Sequence, residues 1–132
     1  MKVWTTATCH RHESEVPTMS NFLLFNLDDA TPEVSGPAAE RLISGNPRFH
    51  TWNLEETAGG VYSGIWQATP GKWRVEYAEW EFCHIFSGVS ILSEDEGAAH
   101  TLRAGDCFVI RPGFRGCWEV VETTRKAYVI KI

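Results

Sequence analysis

The chain has 132 residues, 43% of them hydrophobic and 22% charged, the size and make-up of one globular domain with a core of its own. Its formal charge of -5 and pI near 5.5 argue against nucleic acid or an anionic membrane surface as the main partner, because phosphate contacts need clustered Lys and Arg. No run approaches the ~18 apolar residues of a transmembrane helix, and Met1-Lys2-Val3-Trp4-Thr5-Thr6 lacks a hydrophobic signal core, so the expected location is cytoplasmic.

Residues 1–18 are polar and carry neither strand nor helix periodicity. Met19 reads as the natural start, which makes 1–18 an extension outside the fold and 19–132 a single domain, with its core at about 48–132. Within the extension, His10-x-His12 is either a metal pair or part of a mobile polar tail. Phe22-Leu23-Leu24-Phe25-Asn26-Leu27 is the first apolar run. Ser35 to Gly45 has a capping residue, Pro37 near the first helical position and a glycine past the end, which predicts a short N-terminal helix.

From Arg48 onward the pattern is β. Strands are predicted at Phe49–Leu54, Val61–Ala68, Trp73–Tyr77, Glu81–Phe86, Val89–Leu92, His100–Leu102, Asp106–Ile110, Cys117–Val121 and Ala127–Ile130. Gly59-Gly60, Pro70-Gly71 and the acidic turn Glu94-Asp95-Glu96-Gly97 punctuate them. Short strands with turn signals every eight to twelve residues specify an all-β sandwich or barrel. None of the cysteines (Cys9, Cys83, Cys107, Cys117) forms C-x-x-C, so a zinc ribbon or redox pair is not indicated; in a cytoplasmic protein they stay reduced. Six tryptophans in so short a chain point to a core of large side chains or an aromatic-lined pocket.

Two segments dominate the pattern: Glu81-Phe82-Cys83-His84-Ile85-Phe86-Ser87-Gly88, and Gly105-Asp106-Cys107-Phe108-Val109-Ile110 leading into Arg111-Pro112-Gly113-Phe114. With Gly64-x-Trp66, Thr69-Pro70-Gly71-Lys72-Trp73, Gly116-x-Trp118-Glu119-Val120 and Arg125-Lys126-x-Tyr128, they resemble the paired motifs of the cupin superfamily (RmlC-like). The resemblance is strongest to small single-domain cupins of unknown function related to ethanolamine-utilisation and ureidoglycine aminohydrolase-like cupins. It implies a double-stranded β-helix, or jelly-roll barrel, with a small-molecule ligand in the lumen and a homodimeric assembly.

The resemblance also implies a divalent metal (Mn, Fe, Ni or Zn) held by an H-x-H pair, a glutamate and a third histidine. Glu81 matches the glutamate. The H-x-H positions fall on Arg74 and Glu76, or on Val75 and Tyr77, and the third histidine falls on Gly116. A metal at Glu81 would then need Glu76 and His84 to converge on it, yet residues 81 and 84 face opposite sides of a regular strand.

The expected site is Glu81 as the catalytic or ligand-contacting residue, with Arg74, Glu76, Tyr77, Cys83, Trp118 and Lys126 as ligand contacts. Glu81 acts as a general base or as half of an ion pair with Arg74, because a charge inside a barrel is costly unless used or paired. Arg74 and Glu76 share a strand face, which, turned to the lumen, would make a polar floor. Cys83 shares the face of Glu81, as a nucleophile or as a small buried residue. His84 faces outward. Lys126 is an anion contact at the barrel mouth or a surface lysine, and Trp118 is a cavity wall or a core residue. His50 and His100 are expected in solvent. Three functions follow: a small-molecule-binding domain, favouring a small carboxylate or sugar-like metabolite; an isomerase or hydrolase using Glu81, with or without a metal; and a structural dimerisation module.

Overall fold

The computed structural model describes residues 20–132, so the extension and its His10-x-His12 pair lie outside the described residues. Nine strands follow one another: β1 (Glu33–Ser35), β2 (Leu42–Gly45), β3 (Phe49–Glu56), β4 (Val61–Ala68), β5 (Gly71–Glu76), β6 (Trp80–Glu94), β7 (Ala99–Arg103), β8 (Cys107–Ile110) and β9 (Arg115–Lys131). Every pairing is antiparallel. Among the described residues no helix is long and apolar enough to cross a membrane.

Two long strands, β6 and β9, form the spine. They pair with each other from Trp80↔Lys131 to Glu94↔Gly116. The other edge of β9 takes β5 along its first half and β4 along its second. β8 pairs with the first half of β6 and β7 with the second. Each half of the spine thus carries its own set of strands, β1-β3-β4-β9-β6-β8 at one end and β2-β5-β9-β6-β7 at the other. One core cluster draws on both sets, from Ala68 and Trp73 through Ile85, Leu92 and Leu102 to Ile110, Trp118 and Val120, so the two halves close over a common interior. Burying each of the Ile, Leu and Val side chains among them stabilises by roughly 1.5–3 kcal/mol.

Strand alternation decides what points inward. Along β9 the buried residues are all even-numbered: Gly116, Trp118, Val120, Thr124, Lys126 and Tyr128. Along β6 the parity changes. Glu81, Cys83 and Ile85 are buried before Gly88, whereas Ser90 and Leu92 are buried after it. The β6–β9 register shifts between Ile85 and Ser90, and Gly88 there has φ +90°. The sequence reading of two strands on either side of Gly88 is therefore corrected to one 15-residue strand with a bulge. Glycine accepts the bend without ending the ladder. The predicted Cys117–Val121 and Ala127–Ile130 likewise merge into the 17-residue β9. Beside the bend, Ser90 Oγ and Thr124 Oγ1 share a hydrogen bond of 2.7 Å, and Trp118 Nε1 donates to Ser90 Oγ at 3.2 Å.

The predicted helix at Ser35–Gly45 does not form. One turn forms, with Arg41 N–H and Leu42 N–H donating to Ala38 O at 2.9 and 3.2 Å, and then Leu42–Gly45 pairs with Gly71–Trp73 as β2. Local capping signals lose to the ladder that an unpaired β5 edge offers. The helical element among the described residues is a three-residue 3-10 turn at Leu27–Asp29, where the Asn26 side chain accepts from Asp28 N–H.

Candidate lumen site

Strands β3, β4 and β5, with the start of β6 and the inward row of β9 from Trp118 to Ile130, enclose an open cavity of about 580 Å3. Its floor and walls are aromatic. Trp66 lies 5.4 Å from Phe49, 6.2 Å from Trp73 and 5.5 Å from Trp118 between ring centroids, in tilted or edge-on arrangements that aromatic quadrupoles favour. Registers place these rings. Phe49 faces Ala68 across β3–β4, and Trp73 faces Trp118 across β5–β9, so one inward row continues around the wall. Glu33 and Ile132, both exposed, line the cavity where it meets solvent.

A charged cluster sits against the aromatic floor. Glu81 and Lys126 form an ion pair of 2.8 Å with both side chains 6% exposed. Cys83 lies between them: its thiol contacts Glu81 Oε2 at 3.2 Å, and Lys126 Nζ contacts its sulfur at 3.4 Å. The register explains the meeting. Glu81 is opposite Ile130 and Ile85 is opposite Lys126, so the two long side chains reach toward each other along the wall and over Cys83. The Lys126 ammonium also stands 4.8 Å and 4.6 Å from the Trp66 and Trp118 ring centroids, which replaces part of its lost hydration by cation–π attraction. Burial disfavours its charge, but the acidic groups around it, Cys83, Glu81 and Tyr77, outweigh that and hold its pKa above the ordinary lysine range. Lys126 is therefore an ammonium and not an amine nucleophile. Burial pushes the Cys83 thiol up to about 12, so it is a thiol and not a thiolate.

Glu81 and Tyr77 each leave a polar atom of the cavity lining without a partner among the described residues. Glu81 uses Oε2 for both of its contacts, and Oε1 has no hydrogen-bond partner among the described residues. Tyr77 Oη has none either, although its backbone is pinned to the turn: its N–H donates to Phe114 O at 2.9 Å, and its carbonyl accepts from Gly113 N–H at 2.7 Å. Burial holds the Tyr77 phenol well above its usual pKa. Tyr128 Oη, by contrast, donates to Asn53 Oδ1 at 2.8 Å, in space kept by Gly64, where a Cβ would stand 2.9 Å from that hydroxyl.

The structure brings Glu81, Tyr77, Trp118 and Lys126 to one cavity, leaves Cys83 fully buried behind Glu81 and Lys126 rather than among the lining residues, and removes Arg74 and Glu76 from the lining. Arg74 lies on the outer face of β5, where it grips Asp95 of the acidic turn at 2.7 and 2.6 Å; Glu76 meets Arg115 at 3.3 Å. The polar floor expected of Arg74 and Glu76 is corrected, because Trp73, Val75 and Tyr77 take the inward positions of that strand. The Glu81–Arg74 ion pair is corrected to Glu81–Lys126. Lys126 is neither a surface lysine nor an exposed contact at the mouth. The Asp95 carboxyl, hydrogen-bonded to Arg74, is held below its usual range. His84 packs on the outer face against Phe86, with ring centroids 5.2 Å apart. His50 is half-buried, 6.2 Å from Trp52, rather than in solvent. Sequence reasoning missed Asn53, Glu79 and Glu33 as lining residues; period-two counting forward from Phe49 through Thr51 along β3 could have found Asn53.

The donor set does not fit the metal that the resemblance implies. Glu81 already has an ammonium as its cation. The H-x-H positions Arg74 and Glu76 face outward, and at Gly116 any side chain would meet the Ser93 carbonyl. Among the described residues no three His, Cys, Asp or Glu side chains gather as ligands.

Burial of Cys83 and Tyr128 predicts how stability varies with pH. Each holds its proton to about 12 in the fold, against 9.0 and 10.0 for the ordinary groups. Above about pH 9 the unfolded chain therefore binds fewer protons than the folded one, so stability is fully present below that pH and declines as pH rises toward 12. The raised pKa of Lys126 acts in the same direction. Urea midpoints at about pH 8, 9.5 and 11 are expected to fall in that order. A constant or rising midpoint would contradict the burial of these groups.

Residues 55–128 match the family model of the EutQ-like cupin domain. No curated protein matches the sequence. Among solved structures, a protein of unknown function of the DUF861 family from Pseudomonas syringae pv. tomato is 28% identical, with a TM-score of 0.70 over 77% of this chain; the chain spans 44% of that protein's length. The EutQ protein of Clostridium difficile is 18% identical, with a TM-score of 0.59 over 74% of this chain and 79% of its own. A cupin superfamily protein from Desulfitobacterium hafniense is 13% identical, with a TM-score of 0.56 over 64% of this chain and 77% of its own.

Proposed function

The chain belongs to the EutQ-like cupin domain family, and from that premise we propose that its lumen binds a small, uncharged, polyhydroxylated molecule, a sugar or a sugar-like metabolite. The observation that carries this reading is a buried carboxylate, Glu81, with one oxygen unpaired beside a wall of tryptophans. Aromatic faces accept the C–H face of a polyol, while the free Oε1 accepts from a hydroxyl. The cavity lies within the size range of small-molecule sites and has the same make-up, mostly apolar with a few polar groups to orient the ligand. A small carboxylate, the other ligand expected from sequence, fits less well. Arg74 is outside the lumen, the Lys126 charge is already satisfied, and Glu33, Glu79 and Glu81 give the lining more negative than positive charge. The lumen is open rather than filled by its own tryptophans, which favours ligand binding over a purely structural role.

The test is calorimetric titration with neutral sugars and polyols beside the corresponding sugar acids. The neutral compounds are expected to bind and the acids to bind at least about tenfold more weakly, a difference of ~1.4 kcal/mol. Arg74→Ala, which alters only the outer face, should leave these affinities unchanged, whereas Trp66→Ala should abolish them. Binding of the acids alone, or loss of binding in Arg74→Ala, would refute the reading.

A further inference from the structure

Glu81 and Tyr77 are two of several lumen groups, Thr51 and Tyr62 among the others, whose polar atoms have no side-chain partner among the described residues, and they differ in kind. Glu81 Oε1 offers an acceptor, while its other oxygen is held by the Lys126 ammonium at 2.8 Å. Tyr77 offers a hydroxyl that can donate, on a backbone fixed by two hydrogen bonds and with its ring edge-on to Phe114 at 6.0 Å. Both line the same cavity. A proton acceptor and a proton donor that line one largely apolar cavity are the minimum equipment for moving a proton within a bound molecule.

We propose that the lumen is a metal-free proton-transfer site, in which Glu81 Oε1 is the base and Tyr77 Oη the acid toward the carbon and oxygen of an α-hydroxycarbonyl compound such as a small aldose or ketose. This rests on the sugar-like reading of the ligand. Glu81 takes the proton from the carbon beside the carbonyl, and the C–H electron pair becomes a C=C bond. The carbonyl oxygen takes the Tyr77 proton, which leaves a neutral enediol. Glu81 then returns its proton to the neighbouring carbon while the other enediol hydroxyl reprotonates Tyr77. The product is the isomeric carbonyl compound, and no oxidant, reductant or co-reactant is consumed. Lys126 is a positioning residue: set over the Trp66 and Trp118 rings, it holds Glu81 through Oε2 and leaves Oε1 without a partner among the described residues. The other thiol and amine chemistry of the cluster is closed, since Lys126 is charged and Cys83 is protonated and buried.

The experiment uses the 132-residue chain in D2O with dihydroxyacetone and glyceraldehyde as probes. Carbon-bound deuterium is followed by proton NMR, and binding by saturation-transfer difference on the same samples. Wild type is expected to exchange at least about tenfold faster than buffer. Glu81→Gln should return to the buffer rate, and Tyr77→Phe should fall about tenfold or more with its saturation-transfer signal kept. Tyr77→Phe removes one exposed-to-cavity oxygen and no packing, so it remains informative if Glu81→Gln does not fold. Binding without exchange in the wild type would overturn the proton-transfer site and leave the binding function standing. No binding of either probe would overturn both. Exchange that survives in both variants would overturn the assignment of Glu81 and Tyr77.

Discussion

Lys126→Met is expected to destabilise the domain by about 3–5 kcal/mol, because it leaves the Glu81 carboxylate buried without a cation. The side chains concerned are 6% exposed, and Glu81 has only Cys83 left as a partner once Lys126 is gone. Much of this loss is the penalty of stranding a charge and not the intrinsic worth of the pair. Replacing both partners by apolar residues of similar volume, Glu81→Leu with Lys126→Met, should therefore recover most of it, since a buried ion pair exchanged for well-packed apolar groups is often neutral or better. Urea denaturation of wild type, both single variants and the double variant gives the coupling energy directly. Additive losses, with the double variant as unstable as the sum of the singles, would mean that the two side chains do not interact as drawn. The double variant has a second use. It keeps the barrel while removing the free carboxylate oxygen, so it should fold and fail to bind a polyol. Stability and the proposed function part company at this cluster: exchanging the pair for apolar groups is expected to cost little, so on the proposed reading a charged pair inside an aromatic wall serves the ligand rather than the fold.

Much of the barrel was legible in the sequence because its signal is local. Alternation along β4 gives Val61–Ala68 as predicted, and turn residues mark the ends of most other strands. Where reading failed, a longer-range effect decided. Leu42-Ile43-Ser44-Gly45 reads as a helix end because nothing in those residues reveals the open β5 edge that recruits them. Gly88 was read as a break because a glycine in a strand can end it or bulge it, and the choice depends on whether β9 continues alongside. The site shows the same division. That Glu81 and Cys83 share a face follows from counting by two, and so does the sharing of a face by Trp118, Lys126 and Tyr128 on β9. That Lys126 rather than Arg74 meets Glu81 does not, because it depends on the β6–β9 register and on which face of β5 turns inward. The clue available at Arg74 was the acidic turn at Asp95, a partner of opposite charge on a segment read as solvated.

Gly88→Ala should cost at least about 3 kcal/mol, and the companion variant Gly105→Ala only about 1. Both glycines have a left-handed backbone, with φ +90° and +95°. An alanine pays conformational strain at either position, of order 1 kcal/mol. They differ in what the new methyl meets. At Gly105 nothing lies within 4 Å, whereas at Gly88 a Cβ would collide with the Thr123 carbonyl oxygen and stand 2.7 Å from Thr124 Cα. Those are backbone atoms of β9, the other half of the spine, and they cannot rotate away. Relief requires β6 and β9 to separate at the point where Ser90, Thr124 and Trp118 are joined by hydrogen bonds in the core. The parity of β6 changes at the same point, so the bulge at Gly88 is what lets Glu81 and Cys83 before it and Ser90 and Leu92 after it all face inward. A variant that folds by moving the bulge would turn one of these sets outward and disturb the Glu81–Lys126 cluster without touching either residue. Thermal denaturation of the two variants separates strain from collision. Equal losses at Gly88 and Gly105 would show that the close approach of β6 and β9 is not what the glycine serves, and a Gly88→Ala protein of near wild-type stability would refute the bulge as the hinge of the barrel.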